Sequence, residues 1–164
     1  MISAVLGDIT KIPTQAVVNS ANPSLLAGGG VCGAIHRVAG PELEVACKKI
    51  GRIDPGQAVL TDAFNLPAEY VIHAVAPRYL DGSRGELEVL AETYKAICGL
   101  VAQHSITSFT IPSIGTGIYR FPLELAAENA VVTVNNHLPE NCTAIFVCFD
   151  EVTFNVYRNY VGFK

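Results

Sequence analysis

With 164 residues, half of them hydrophobic, the chain carries enough apolar material for one substantial core and is expected to form one domain over residues 1–164. Fifteen acidic residues outnumber eleven basic ones, for a formal charge of −4, and the lysines and arginines never cluster; this argues against a long nucleic acid as partner but leaves room for a small phosphorylated ligand held by backbone amides. The five cysteines, at 32, 47, 98, 142 and 148, have no framework spacing, no leader-like segment precedes the first strand, and no apolar run reaches membrane-spanning length, so the expectation is reduced thiols in a cytoplasm and no membrane contact.

Ile2 to Leu6 reads as a short apolar strand ended by Gly7-Asp8, where the Asp8 carboxylate suits a cap on the next turn better than a ligand contact. A second strand, Ala16 to Val18, runs into two asparagines, Asn19 and Asn22, and then into Gly28-Gly29-Gly30. A helix is expected from about Gly33, with apolar Ile35 and Val38 three apart. Gly40-Pro41 breaks it from a second helical stretch that ends near Ile50. Gln57 to Thr61 and Val71 to Val75 read as strands around a polar turn at Asn65-Leu66-Pro67.

Glu86 to Gln103 has long helical periodicity, with Leu87, Leu90, Tyr94, Ile97 and Val101 on one face. The strand Ser108 to Ile111 leads into Pro112-Ser113-Ile114-Gly115-Thr116-Gly117-Ile118-Tyr119-Arg120-Phe121, and a helix follows from Pro122, suited to a first helical position, to about Asn136. A last apolar strand, Ala144 to Phe149, precedes a short helix from about Glu151 to Tyr160, whose Tyr157 and Tyr160 could both pack on the sheet.

Strands alternating with helices imply a largely parallel sheet covered on both faces, with ligands bound beyond the carboxyl ends of the strands. Both glycine loops fall at that edge. A glycine triplet alone is as well explained by a flexible turn, but its amides and those opening the next helix can also converge on one anion, where the helix dipole favours phosphate. Two such loops from neighbouring strands suit a pyrophosphate.

Other nucleotide signatures fit poorly. Gly28, Gly30 and Gly33 satisfy the dinucleotide fingerprint literally, but the first glycine stands too far from its strand and Asp54 precedes a strand where the motif needs an acid ending one. Neither glycine loop carries the lysine and hydroxyl pair of a P-loop. Scattered His73, His104 and His137, with no Cys-x-x-Cys pair, argue against a metal, and Cys47, Cys98, Cys142 and Cys148 read as buried packing residues.

The chain resembles the macrodomains, which bind ADP-ribose, along essentially its whole length. The likeness rests on Gly7-Asp8-Ile9-Thr10, Asn19-Ser20-Ala21-Asn22-Pro23, Gly28 to Gly40, and Gly115-Thr116-Gly117-Ile118-Tyr119, in that order. It is most similar to the MacroD-type branch, whose members remove ADP-ribose from acidic side chains or deacetylate O-acetyl-ADP-ribose. This resemblance implies a three-layer α/β/α fold with a mixed, mostly parallel sheet, acting as a monomer on ADP-ribose or an ADP-ribosylated protein, with ADP-ribose as ligand or substrate moiety and no metal or redox cofactor.

Carried over by position, the resemblance has Asp8 accept from the adenine amino group and the Ile9 amide meet the ring. Gly29, Gly30, Val31 and Cys32 on one side, and Ser113, Gly115, Thr116, Gly117, Ile118 and Tyr119 on the other, would clamp the diphosphate. Asn22 would hold a hydroxyl of the distal ribose, Tyr119 would pack on that sugar, and Phe149 and Asp150 would lie beside the adenosine.

One departure stands out. The hydrolytic MacroD pattern has an aspartate, credited with orienting or activating water, where this chain has Cys32. Asn22 and Cys32 are the candidate catalytic residues, and three readings of Cys32 remain: a filler in a non-catalytic ADP-ribose reader, a bystander while the substrate's own phosphate positions water, or a helix-terminal thiol acting as base or nucleophile. His36, one turn on, is either a structural hydrogen-bonding residue or a partner to that thiol. Binding of RNA or poly(ADP-ribose) is a weaker third function, against which the acidic balance counts. Arg120, where the family often has a small residue, would shape substrate access.

Overall fold

The computed structural model describes residues 1–162. In chain order it has β1 (Ile2–Leu6), a 3-10 turn (Ile9–Lys11), β2 (Ala16–Ala21), α1 (Gly30–Ala39), α2 (Pro41–Ile50), β3 (Ala58–Asp62) and β4 (Tyr70–Val75). There follow α3 (Glu86–Gln103), β5 (Ser108–Pro112), α4 (Leu123–His137), β6 (Thr143–Cys148) and α5 (Glu151–Gly162). The six strands form one sheet in the order β1-β6-β5-β2-β4-β3, parallel throughout except for β3, which runs antiparallel to β4. Helices cover both faces, as the three-layer expectation requires.

Alternation along the strands sends side chains to two separate cores. Ala16 and Val18 of β2 and Ile72 and Ala74 of β4 pack with α3, α4 and α5, whereas Val17, Ala21, Val71 and Val75 pack with Ile35, Ala39, Leu43 and Cys47 of α1 and α2. On α3 the periodic face is buried as expected. Leu90, Ile97 and Val101 there are fully buried, each contributing about 1.5–3 kcal/mol relative to exposure.

Several boundaries differ from the sequence reading. β2 continues through Asn19 to Ala21, with the Asn19 amide finding His73 and Cys32 inside the protein, and α1 starts at Gly30, where a φ of 57° lets the glycine loop turn directly into the helix. Pro122 takes the cap position of α4 with φ −56° and ψ 132°, extended backbone outside the helix. β6 ends at Cys148, which leaves Phe149 outside the strand. Val38 faces solvent, and only Tyr157 of the α5 tyrosines enters the core, against Phe146; Tyr160 stays partly exposed and donates to Glu124.

The connection between β4 and α3 is held from inside. One oxygen of Glu86 accepts from the amides of Leu80, Asp81 and Gly82 at 2.8–3.0 Å, and the other accepts from Arg84 at 2.7 Å. Burial by itself would raise this carboxyl, but the four amides, Gly82 first, prevail and hold it down at about 2. Stability from a depressed carboxylate is present above the unfolded value of about 4.3 and is lost as pH falls toward about 2. Glu86→Gln, which cannot offer two charged acceptors, is therefore expected to lower the melting temperature at pH 7 and to weaken the loss of stability between pH 4.5 and pH 2. Amide exchange at Leu80 to Arg84 as slow as in the wild type would refute the latch.

Candidate functional site

The strand order brings the carboxyl ends of β2, β5 and β6 side by side, and beyond them lies a cleft of about 640 Å³. That size falls within the range of small-molecule sites, about 300–1,000 Å³. Its walls are the loop after β2, from Asn22 to Cys32, the loop after β5, from Ser113 to Phe121, and Phe149 and Asp150 after β6. Asn22, Gly29, Gly30, Val31, Cys32, Ser113, Gly115, Thr116, Gly117, Ile118, Tyr119, Phe149 and Asp150 thus meet at one cleft. Asp8 and Ile9 stand outside its lining, beyond the end of β1 at the level set by the pairing of Leu6 with Cys148.

The first loop owes its shape to close backbone approaches. Gly33 donates to the Gly29 carbonyl at 3.2 Å, the first bond of α1, and a Cβ at Gly33 would drive into the Gly28 carbonyl oxygen. The amides of Gly30, Val31 and Cys32 precede that bond, so they have no partner within the helix and open the positive end of its dipole toward the cleft. Asn22 braces the same loop: its amide donates to the Leu26 carbonyl at 2.9 Å, and its side-chain oxygen accepts from Ser24.

The second loop uses the same device. Gly115, at φ 88°, lies where a Cβ would strike the Phe121 ring, and its carbonyl accepts from Phe121 at 2.9 Å. Ser113 shares a hydrogen bond with Thr116 at 2.9 Å and accepts from the buried Tyr157 phenol at 3.0 Å, which ties the loop to α5. Phe149 is 78% exposed at the cleft edge. The Asp150 carboxylate caps α5 through the Thr153 amide at 2.8 Å, and Asp8 caps its turn through the amide and hydroxyl of Thr10, first the hydroxyl, which holds the Asp8 carboxyl below its ordinary value.

The Macro domain family matches residues 18–130. The O-acetyl-ADP-ribose deacetylase of Klebsiella pneumoniae (strain 342) is 48% identical over 161 residues, spanning 94% of this chain and 92% of that protein. This chain belongs to the Macro domain family.

Among solved structures, the Oceanobacillus iheyensis macrodomain with ADP superposes with a TM-score of 0.92 at 36% identity, over 96% of this chain and 88% of that one. The Trypanosoma brucei macrodomain in complex with ADP-ribose gives 0.88 at 33% identity, over 98% and 69%.

In this macrodomain Cys32 closes the floor of the cleft and is 6% exposed. Its thiol donates to the Leu26 carbonyl at 3.6 Å and accepts from the Asn19 amide at 3.8 Å. The same Asn19 amide lies 3.2 Å from Nδ1 of His73, its register partner on β4. With Nδ1 accepting, Nε2 carries the proton and donates to Thr61 at 3.0 Å, whose own hydroxyl donates to the Asp62 carbonyl; the Cys47 thiol is 3.8 Å from that nitrogen. Burial, with His36 adding, drives the His73 imidazole down to about 3, and burial raises the Cys47 thiol to about 11. Cys47 is thus a member of a polar network as well as a packing residue.

His36 packs its ring 6.4 Å from that of His73, and burial lowers its basicity. It makes no hydrogen bond to Cys32 among the described residues, and its Nε2 is buried without a partner. The sequence reading passed over Asn19 and His73 as a pair. Their signal was a single polar residue in the middle of an apolar strand, in Val17-Val18-Asn19 and Val71-Ile72-His73 alike.

His73 is expected to remain neutral and protonated on Nε2 at pH 5, as read by imidazole nitrogen NMR, and to cost stability as pH falls. The unfolded histidine takes up a proton near pH 6.5 that the folded one refuses until about 3, so stability declines across that window. An imidazolium signal in folded protein at pH 5 would contradict the network. Gly33→Ala is expected to destabilise the protein by about 1–3 kcal/mol and to disorder the first loop, measured by thermal unfolding and by loop amide exchange.

Proposed function

We propose that this macrodomain binds ADP-ribose across its two glycine loops and hydrolyses the ester joining ADP-ribose to an aspartyl or glutamyl side chain or to acetate. The observation that carries this reading is the convergence of both amide-rich loops on one cleft at the carboxyl edge of β2, β5 and β6. The ADP and ADP-ribose complexes of the related macrodomains and the name of the Klebsiella relative support it. Five free buried thiols fit a reducing, cytoplasmic compartment, and the reading takes residues 1–164 as one domain acting as a monomer.

In this reading the amides of Gly29 to Cys32 and the Ser113 to Tyr119 loop hold the diphosphate, as preorganised donors do for any developing or resident anion. Asn22 keeps one amide hydrogen beyond its bond to Leu26 for the distal ribose, and Tyr119 offers that sugar its ring. Phe149 presents its exposed face to the adenosine beside Asp150, and Asp8 with the Ile9 amide completes the adenine end from outside the cleft lining.

Hydrolysis then requires water to attack the ester, with the bond to the carboxylate leaving group breaking and a proton reaching it. Cys32 gives that water no carboxylate base: its thiol is buried and donates to Leu26. The substrate's phosphate and Asn22 are left to orient the water, which makes turnover slow. The same observation favours one second reading, a non-catalytic reader of ADP-ribose.

Calorimetric titration with ADP-ribose and release of ADP-ribose from a glutamyl-modified protein test both. The wild type is expected to bind and to turn over slowly, Cys32→Ala to keep that slow rate, and Cys32→Asp to raise it by about 10²-fold or more, the scale of general-base catalysis. Binding with no wild-type turnover would leave the reader; no ADP-ribose binding would overturn both readings.

A further inference from the structure

Next to the cleft-lining Tyr119, outside the lining itself, two arginines stand without carboxylate partners among the described residues. Arg78 places its guanidinium 5.6 Å from the centre of the Tyr119 ring, and Arg120, the next residue after Tyr119, is exposed at φ 66°. Among the described residues the ion pairs are Arg84 with Asp81 and Lys95 with Glu92, so neither Arg78 nor Arg120 is neutralised. In a chain of net charge −4 this is a local reversal of sign.

The pair is also held in place. The Tyr79 amide donates to the Tyr119 carbonyl at 2.8 Å, the Tyr79 ring packs 5.1 Å from Phe121, and the Glu86 latch fixes Leu80 to Arg84 immediately beyond. Arg78 and Arg120 therefore flank one backbone junction between the connection before α3 and the second glycine loop. Exposed Leu80 and Ile118, at 65% and 86%, add apolar surface to the same two segments. Tyr119 lines the cleft, and Arg78 covers its ring from outside.

We propose that Arg78 and Arg120 form a cationic lip that receives acidic residues flanking the modified side chain of an ADP-ribosylated polypeptide. The inference rests on the reading that ADP-ribose fills the cleft with its distal ribose toward Asn22 and Tyr119, since the attached chain then leaves past Tyr119. The Arg78 guanidinium, stacked on the Tyr119 face, keeps its edge free for two-point bonds to a carboxylate, exposed Arg120 adds a second positive charge, and Leu80 and Ile118 offer contact to the stems of the same peptide. Preference for one substrate flank over another is then set at the rim, apart from the amides that hold the diphosphate.

The test uses peptides carrying ADP-ribose on a hydrolysis-resistant amide, one with acidic and one with neutral flanks, titrated in parallel with free ADP-ribose. The wild type is expected to bind the acidic peptide about five- to tenfold more tightly than the neutral one, the scale of two exposed ion pairs, and to lose most of that preference at about 0.5 M salt. Arg78→Gln with Arg120→Gln should abolish the preference and leave free ADP-ribose affinity unchanged, and Arg78→Glu with Arg120→Glu should reverse it, so that the neutral peptide binds more tightly than the acidic one. Equal binding of both peptides by the wild type overturns the lip while the binding reading stands. An equal loss for free ADP-ribose in the double Gln variant overturns it too, because the arginines would then serve the ligand itself. Displacement of the acidic peptide by an RNA oligomer at equal concentration would reassign the lip to phosphates, and failure of free ADP-ribose to bind removes the reading beneath it.

Discussion

Where Gly33 passes the carbonyl oxygen of Gly28, the backbone of the first loop folds back on the opening turn of α1 with no room for a side chain. Everything on that side of the cleft depends on this approach. It turns the amides of Gly30, Val31 and Cys32 outward, and it lets Asn22 reach Leu26 and stitch the loop to itself. The second loop repeats the solution at Gly115, which yields its Cβ space to the Phe121 ring. The pairing of β2 with β5 sets the two loops facing one another across the cleft.

Below the first loop the protein interior is polar but uncharged. Asn19 and His73 meet because β2 and β4 pair in register, and strand alternation turns both toward α1 and α2, where Cys32, His36 and Cys47 arrive from the helices. The low dielectric there keeps the imidazoles neutral and the Cys47 thiol protonated. A thiol at position 32 matches those surroundings, since it gives a weak hydrogen bond to Leu26 and takes one from Asn19. The same residue leaves the cleft floor without a carboxylate.

The rim is built by a different interaction. A carboxylate saturated by four backbone amides makes the turn before α3 a rigid shelf, and that shelf carries Arg78 to Tyr119. Cleft floor, cradle and rim are thus held by separate devices, one a buried polar network, one a pair of glycine contacts and one a charge-assisted latch.

Much of this was legible along the chain. Periodicity located every helix and strand within a few residues, and the order of glycine motifs pointed to the family, because local backbone demands are written in local residues: a glycine where φ is positive or a Cβ would collide, an apolar face every third or fourth residue on α3. One misjudged boundary, the end of β2, had its cause far away in the chain. β2 outran its apolar letters because Asn19 is satisfied by His73, 54 residues away, and no local pattern announces such a partner. The sequence alone determined which stretches would be strands, helices and glycine loops, and it is the family resemblance that marks Cys32 as standing where an acid is usual. Only the tertiary structure decided that His73 lies behind Cys32, that the Asp150 carboxylate is engaged in capping α5, and that Arg78 stands over Tyr119. Strand register and helix packing set those distances, and both are properties of pairs far apart in the chain.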